Sequence, residues 1–95
     1  PQGLWRLDSD EAIGLEWLRG REVAAACAIG NPESFVRTLT ALGAVVVETR
    51  MARNHTLRTL DAAKGLPVVT TEKDAVRLER ATGAVYALRV GLEDV

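Results

Sequence analysis

Two stretches of the chain are apolar almost without a break, "EVAAACAIG" (Glu22 to Gly30) and "AVVVETR" (Ala44 to Arg50). Continuous runs of this kind suit strands buried on both faces of a parallel sheet, whereas a half-solvated strand alternates apolar with polar positions. "LPVVTT" (Leu66 to Thr71) predicts a third, shorter strand. "AVYALRVGL" (Ala84 to Leu92) predicts a fourth, and its stronger alternation suits an edge position.

Between the runs the period changes from that of a strand to that of a helix. "NPESFVRTLTALG" places Phe35, Leu39 and Leu42 at i, i+4 and i+7 with Val36 alongside, one apolar face. Asn31 suits the N-cap, Pro32 the first helical position and Gly43 the C-terminal stop. A shorter helix is predicted from Thr56 or Thr59 to Lys64, closed by Gly65. A third is predicted in "EKDAVRLERATG", with Ala75, Leu78 and Ala81 spaced by three and Gly83 after them.

The predicted order is β-α-β-α-β-α-β over residues 22–95, an α/β domain. The expected architecture is a small three-layer αβα, Rossmann-like arrangement with a mostly parallel sheet. Residues 1–21 form an N-terminal β extension: a strand, a turn at "DSDE", and a second short strand or helical turn. Trp5 and Trp17 are expected to cover one edge of the core. No internal repeat and no low-complexity linker interrupts the chain, so residues 1–95 are read as a single domain. The chain opens at Pro1 in strand-like sequence, which reads as part of a longer protein.

Bulk properties narrow the function. A chain of 95 residues buries about 65% of its unfolded surface, enough for one modest core. It is 47% hydrophobic and 26% charged, an ordinary globular balance, and its net charge of −1 exerts no global pull on nucleic acid. No apolar run approaches the roughly 20 residues of a membrane span. The one cysteine, Cys27, sits in an apolar run. That placement suits a buried structural thiol better than a nucleophile, and a lone thiol forms neither an internal disulfide nor a metal cluster.

In open parallel sheets, ligands bind beyond the carboxyl ends of the strands. Three loops leave those ends: "IGNPES", "TRMARNH" and "TTEKD". Asn31, Ser34, Arg50, Arg53, Asn54, His55, Thr71, Glu72, Lys73 and Asp74 are therefore expected on one rim. Each has two readings. Thr71 and Asp74 have the spacing of a capping box, which needs no ligand. Lys73 is either a solvated side chain or a phosphate contact. His55, the only histidine, is either exposed or an acid–base group at neutral pH. Arg50 and Arg53 suit a phosphorylated ligand or simply solubilise the loop. The chain contains no G-x-x-x-x-G-K-[ST] and no G-x-G-x-x-G, hence no nucleotide-cradling loop of its own.

"AAACAIGNPESFVRTLTALGAVVVETR" and "LPVVTTEKDAVRL" resemble two stretches of the tetraacyldisaccharide 4'-kinases, in order and with "LRGREV" and "VYALRVGLE" also matching. The resemblance implies the smaller C-terminal α/β domain of such an enzyme, closing over an active site. The family transfers the γ-phosphate of ATP to the 4'-hydroxyl of a lipid A precursor disaccharide 1-phosphate, at the cytoplasmic face of the bacterial inner membrane. It implies ATP and Mg²⁺ in the full-length enzyme, held by an N-terminal P-loop domain of the same parent protein, and none held by this chain alone. It makes His55 the catalytic histidine, assisting the acidic base. It puts Asn31, Arg50, Arg53, Asn54, Thr71, Glu72, Lys73 and Asp74 on the substrate side of the cleft, with no metal ligand and no nucleic-acid partner. Three positions depart from the family's F-x-D-H-H-like motif: Ala52 stands for the aromatic, Asn54 for the aspartate and Thr56 for the second histidine. The segment between His55 and Lys64 is shorter by about two helical turns. The alternative is a free-standing, non-catalytic α/β module that binds a phosphorylated or anionic ligand on the same rim.

Overall fold

The computed structural model describes residues 3–28, 32–51 and 58–89. Its strands are β1 (Gly3–Arg6), β2 (Glu11–Ile13), β3 (Glu22–Cys27), β4 (Val45–Met51), β5 (Thr59–Asp61), β6 (Val68–Thr71), β7 (Arg80–Thr82) and β8 (Val85–Arg89). The helices are α1 (Pro32–Ala41) and the single turn α2 (Glu72–Ala75), with a 3-10 turn at Leu15–Leu18. A six-stranded sheet runs in the order β2-β1-β8-β6-β3-β4. β4, β3, β6 and β8 are mutually parallel, and the β1–β2 hairpin adds antiparallel to β8. The domain is α/β with a mostly parallel sheet and an N-terminal β extension, as the sequence predicts.

The apolar runs do what their lack of alternation requires. From β3, Val23, Ala25 and Cys27 enter one core cluster with Phe35 and Leu39 of α1, while Ala24 and Ala26 enter a second with Leu60, Val68 and Val85. Cys27 is a buried core residue, 1% exposed. β6 splits its side chains in the same way, Val69 to the first cluster and Val68 to the second. Trp17 packs on the first cluster, its ring 4.4 Å from that of Tyr86.

α1 begins at Pro32 and buries Phe35 and Leu39. It ends as its glycine predicts. The Gly43 N–H donates to the Thr40 carbonyl and the Ala44 N–H to the Leu39 carbonyl, a Schellman closure. Gly43 has φ +99°, and a Cβ there would meet the Arg19 Cα at 3.2 Å, so glycine is required twice over.

Three predicted features are corrected. The helix predicted from Thr56 or Thr59 to Lys64 is strand β5 over its described part, followed by a turn bridged between Ala63 and Leu66. Leu60 is buried between exposed Thr59 and Asp61, a period of two that a window of three residues hides. The helix predicted over "EKDAVRLERATG" stops at Ala75, and the chain extends into β7, which pairs with β5. Spacing by three placed Leu78 and Ala81 on one side, and both pack on the second core cluster, but Leu78 does so from the turn after α2 and Ala81 from strand β7. The Arg58 carbonyl accepts the N–H groups of Glu79 and Arg80, a tertiary pairing that local propensity does not encode. Finally, β8 is interior and not an edge, because β1 pairs along its outer side. The layer opposite α1 is thus built, in its described part, from the two-stranded β5–β7 ladder.

Leu39 is fully buried where α1 meets the sheet. Leu39→Ala should cost about 2–5 kcal/mol of unfolding free energy, the range for a buried leucine that leaves a cavity. Urea denaturation of both proteins checks this, and a loss under about 1 kcal/mol would mean the helix is not seated as described.

Candidate functional site

The strand order reverses between β3 and β6. From β3 the chain leaves by α1 to β4 on one side, and from β6 it leaves by α2 toward β8 on the other. Diverging connections open a crevice at the carboxyl ends of these two strands, the place where open α/β sheets bind ligands. Ala28, just past the end of β3, and "TTEKD" after β6 meet there.

Asp74 is at the centre of this meeting and is only 1% exposed. Its Oδ2 accepts the backbone N–H of Ala28 at 3.0 Å, from the end of β3. The same oxygen accepts the Thr71 hydroxyl at 2.8 Å. The Thr71 Oγ1 in turn accepts the Asp74 N–H at 3.0 Å, capping α2. Half of the expected capping box is therefore present. In the complete motif the acid returns to the backbone N–H of the cap residue; here its carboxylate reaches across to another strand.

Of the other sequence-predicted residues, Lys73 is exposed and Glu72 half-buried on α2. Glu72 lies 3.9 Å from Arg89, whose guanidinium stacks 4.7 Å from the Trp5 ring centre. Ser34 is exposed in the first turns of α1. Arg50 stands at the level of Thr70, on the far side of β3, roughly 10 Å away across two strand spacings. Its Nε donates to Glu48 and its Nη1 to the Asp61 carbonyl at 2.7 Å, fastening β5 to the sheet. Asn31, Arg53, Asn54 and His55 lie outside the described residues. The structure thus brings together Thr71 and Asp74, turns Glu72 toward Arg89, and leaves Arg50 across the sheet.

Two participants at this end of the sheet escaped the sequence reading. One is Arg89, which lines a hollow of about 340 Å³ with Gly3, Ala12 and Gly14. Its signal was present, a cation at the last position of the final parallel strand. The other is the Ala28 N–H, a backbone group with no side-chain signature. Thr70 is also notable. It is fully buried, and among the described residues its Oγ1 has no hydrogen-bond partner.

No cluster of three or more His, Cys, Asp or Glu stands together among the described residues, and the Asp74 carboxylate already serves two donors. No helix among the described residues is long and apolar enough to cross a membrane.

The resolved titration shifts lie at the opposite end of the sheet. The hydrogen bond from the Arg6 Nε, 2.7 Å from the Asp8 carboxylate, lowers the Asp8 pKa and raises that of Arg6.

The geometry defines a class first: a parallel α/β domain whose polar residues converge at the topological switch point. The comparisons narrow it. The family model described as Tetraacyldisaccharide-1-P 4'-kinase matches residues 3–93, and the chain belongs to that family. A tetraacyldisaccharide 4'-kinase of Anaeromyxobacter sp. (strain K) is 48% identical, over 84% of this chain and 24% of its own length. That of Anaeromyxobacter dehalogenans (strain 2CP-C) is 50% identical, over 84% and 24%. That of Methylorubrum populi is 44% identical, over 83% and 27%. The chain spans about a quarter of the length of these curated relatives. No solved structure matches it.

Two outcomes test this geometry. Thr70→Val should leave stability unchanged or raise it, since an unpaired buried hydroxyl costs about 1–3 kcal/mol; a clear loss in thermal denaturation would reveal a partner for that hydroxyl. Asp8 should titrate below the ordinary aspartate value, and Arg6→Ala should return it to the usual range. Because the folded pKa is the lower one, the pair stabilises above the unfolded value of about 3.9 and loses its effect as pH falls through the folded value. Carboxyl NMR shifts at low salt read this directly.

Proposed function

We propose that this chain forms one wall of the active-site cleft of a tetraacyldisaccharide 4'-kinase. The observation that carries the reading is the family match along residues 3–93. The meeting of Thr71 and Asp74 with the Ala28 N–H at the switch point supports it. In the parent enzyme the 4'-hydroxyl oxygen of a lipid A precursor disaccharide 1-phosphate attacks the γ-phosphorus of ATP. The β–γ bridging bond breaks and ADP leaves. The hydroxyl proton passes to an acidic base outside this chain, which His55 assists. Positioning and charge stabilisation dominate such transfers. An N-terminal P-loop domain of the same parent protein holds ATP with Mg²⁺, and this domain closes on it from the acceptor side. Asn31, Arg53, Asn54 and Lys73 are the groups proposed to contact the sugar phosphate. The parent works at the cytoplasmic face of the inner membrane, where its lipid substrate resides. The domain spans residues 1–95, with 1–21 as its extension.

The experiment is an NMR titration of the chain with a disaccharide 1-phosphate analogue and, separately, with ATP and Mg²⁺. Shifts at His55, Asn31 and Thr70 to Asp74 with the sugar phosphate, and none with ATP, are expected. Absence of shifts with both ligands, or phosphoryl transfer by this chain alone, would overturn the reading.

A further inference from the structure

The Asp74 carboxylate was expected on the substrate side of the rim, yet its surroundings argue for another task. It is 1% exposed, and one of its oxygens carries both the Ala28 N–H and the Thr71 hydroxyl. The Thr71 hydroxyl is committed too, as donor to that oxygen and acceptor of the Asp74 N–H. Neither group is free to turn toward a ligand without breaking a bond inside the protein.

The partners matter more than the burial. Ala28 and Asp74 are 46 residues apart in sequence. Ala28 is the last described residue before the turn into α1, and Asp74 sits in the turn that leaves β6. These turns depart in opposite directions, so no backbone ladder continues between them beyond Thr70, which pairs with Ala26. A helix cap alone needs only the Thr71 hydroxyl. The carboxylate adds a bond across the crevice, and bonds to a charged acceptor are about twice as strong as neutral ones.

We propose that Asp74 is a positioning residue that latches the turn after β3 to the turn after β6, setting the width of the crevice and making both turns move as one unit. The inference rests on the kinase reading only for what the crevice holds. Lys73 then meets a ligand from a turn that Asp74 holds against Ala28 without itself touching the ligand.

Amide hydrogen exchange of the chain, which reports local opening, tests the latch with no ligand present. In Asp74→Ala, exchange at Ala28 should accelerate about tenfold or more relative to Ala25 and Val69, the scale of losing one bond to a charged group. Amides of residues 33–35 should shift together with those of 71–75. Asp74→Asn keeps an oxygen acceptor and should recover most of the protection. Thr71→Val should loosen Ala28 less than Asp74→Ala does, and it serves as the test should the alanine variant fail to fold. Unchanged exchange at Ala28, or acceleration spread evenly over Ala25 and Val69, would overturn the proposal. In the sugar-phosphate titration, a positioning role predicts weaker binding with both turns already shifted in the free variant. A direct contact would instead weaken binding with the free spectrum unchanged, and that result would also overturn the latch. If the unsubstituted chain binds neither ligand, the kinase reading fails while the exchange result still decides the latch.

Discussion

The structure depends on β3 having no face in water. Its side chains from Val23 to Cys27 are at most 1% exposed, and it feeds two separate core clusters. A strand in that position needs hydrogen-bonded neighbours on both edges, because an unpaired buried backbone group costs about as much as a lost hydrogen bond. β4 and β6 meet that need, both parallel to β3. Small side chains make the position tenable. The three consecutive alanines on β3 are small, and larger side chains fill the two clusters, among them Phe35 and Leu39 of α1 on one side and Leu60, Val68 and Val85 on the other.

The same constraint produces the site. β3 is paired on both edges, and its chain leaves toward β4 while β6 leaves toward β8, so two turns diverge over one point of the sheet. The polar groups of those turns sit where the ladder ends and the backbone requires new partners. Asp74 answers part of that requirement with a buried carboxylate, and Thr71 orients it. Leaving a buried carboxylate without its donors is costly, so the arrangement is stiff by construction. Exposed Lys73 and the Glu72–Arg89 pair, by contrast, sit in solvent, where ion pairs contribute little. The rim thus joins a buried, hydrogen-bonded inner group to more exposed charged side chains.

Family membership and geometry support each other without being the same observation. The match runs along nearly all of the chain, whereas the switch point arises from strand order alone. The curated relatives are about four times as long as the part of them that aligns, so their named activity belongs to a larger assembly of elements than this domain supplies.

Sequence by itself determined the parallel strands and α1 from its proline to its closing glycine. Each rests on a local rule: uninterrupted apolar runs, a stripe at helical spacing, and a proline and a glycine at the proper ends. It also marked Thr71 and Asp74, through their spacing. Tertiary structure alone decided the rest. "TLD" and "RAT" become strands because each finds the other, and three residues carry too little periodicity to outweigh that pairing. β8 lies inside the sheet because the N-terminal hairpin reaches it from the far end of the sequence. The partner of the Asp74 carboxylate is a backbone N–H from another strand, and no side-chain pattern announces a backbone group. Local rules describe what a segment can do alone; contacts between distant segments determine which of those possibilities persists.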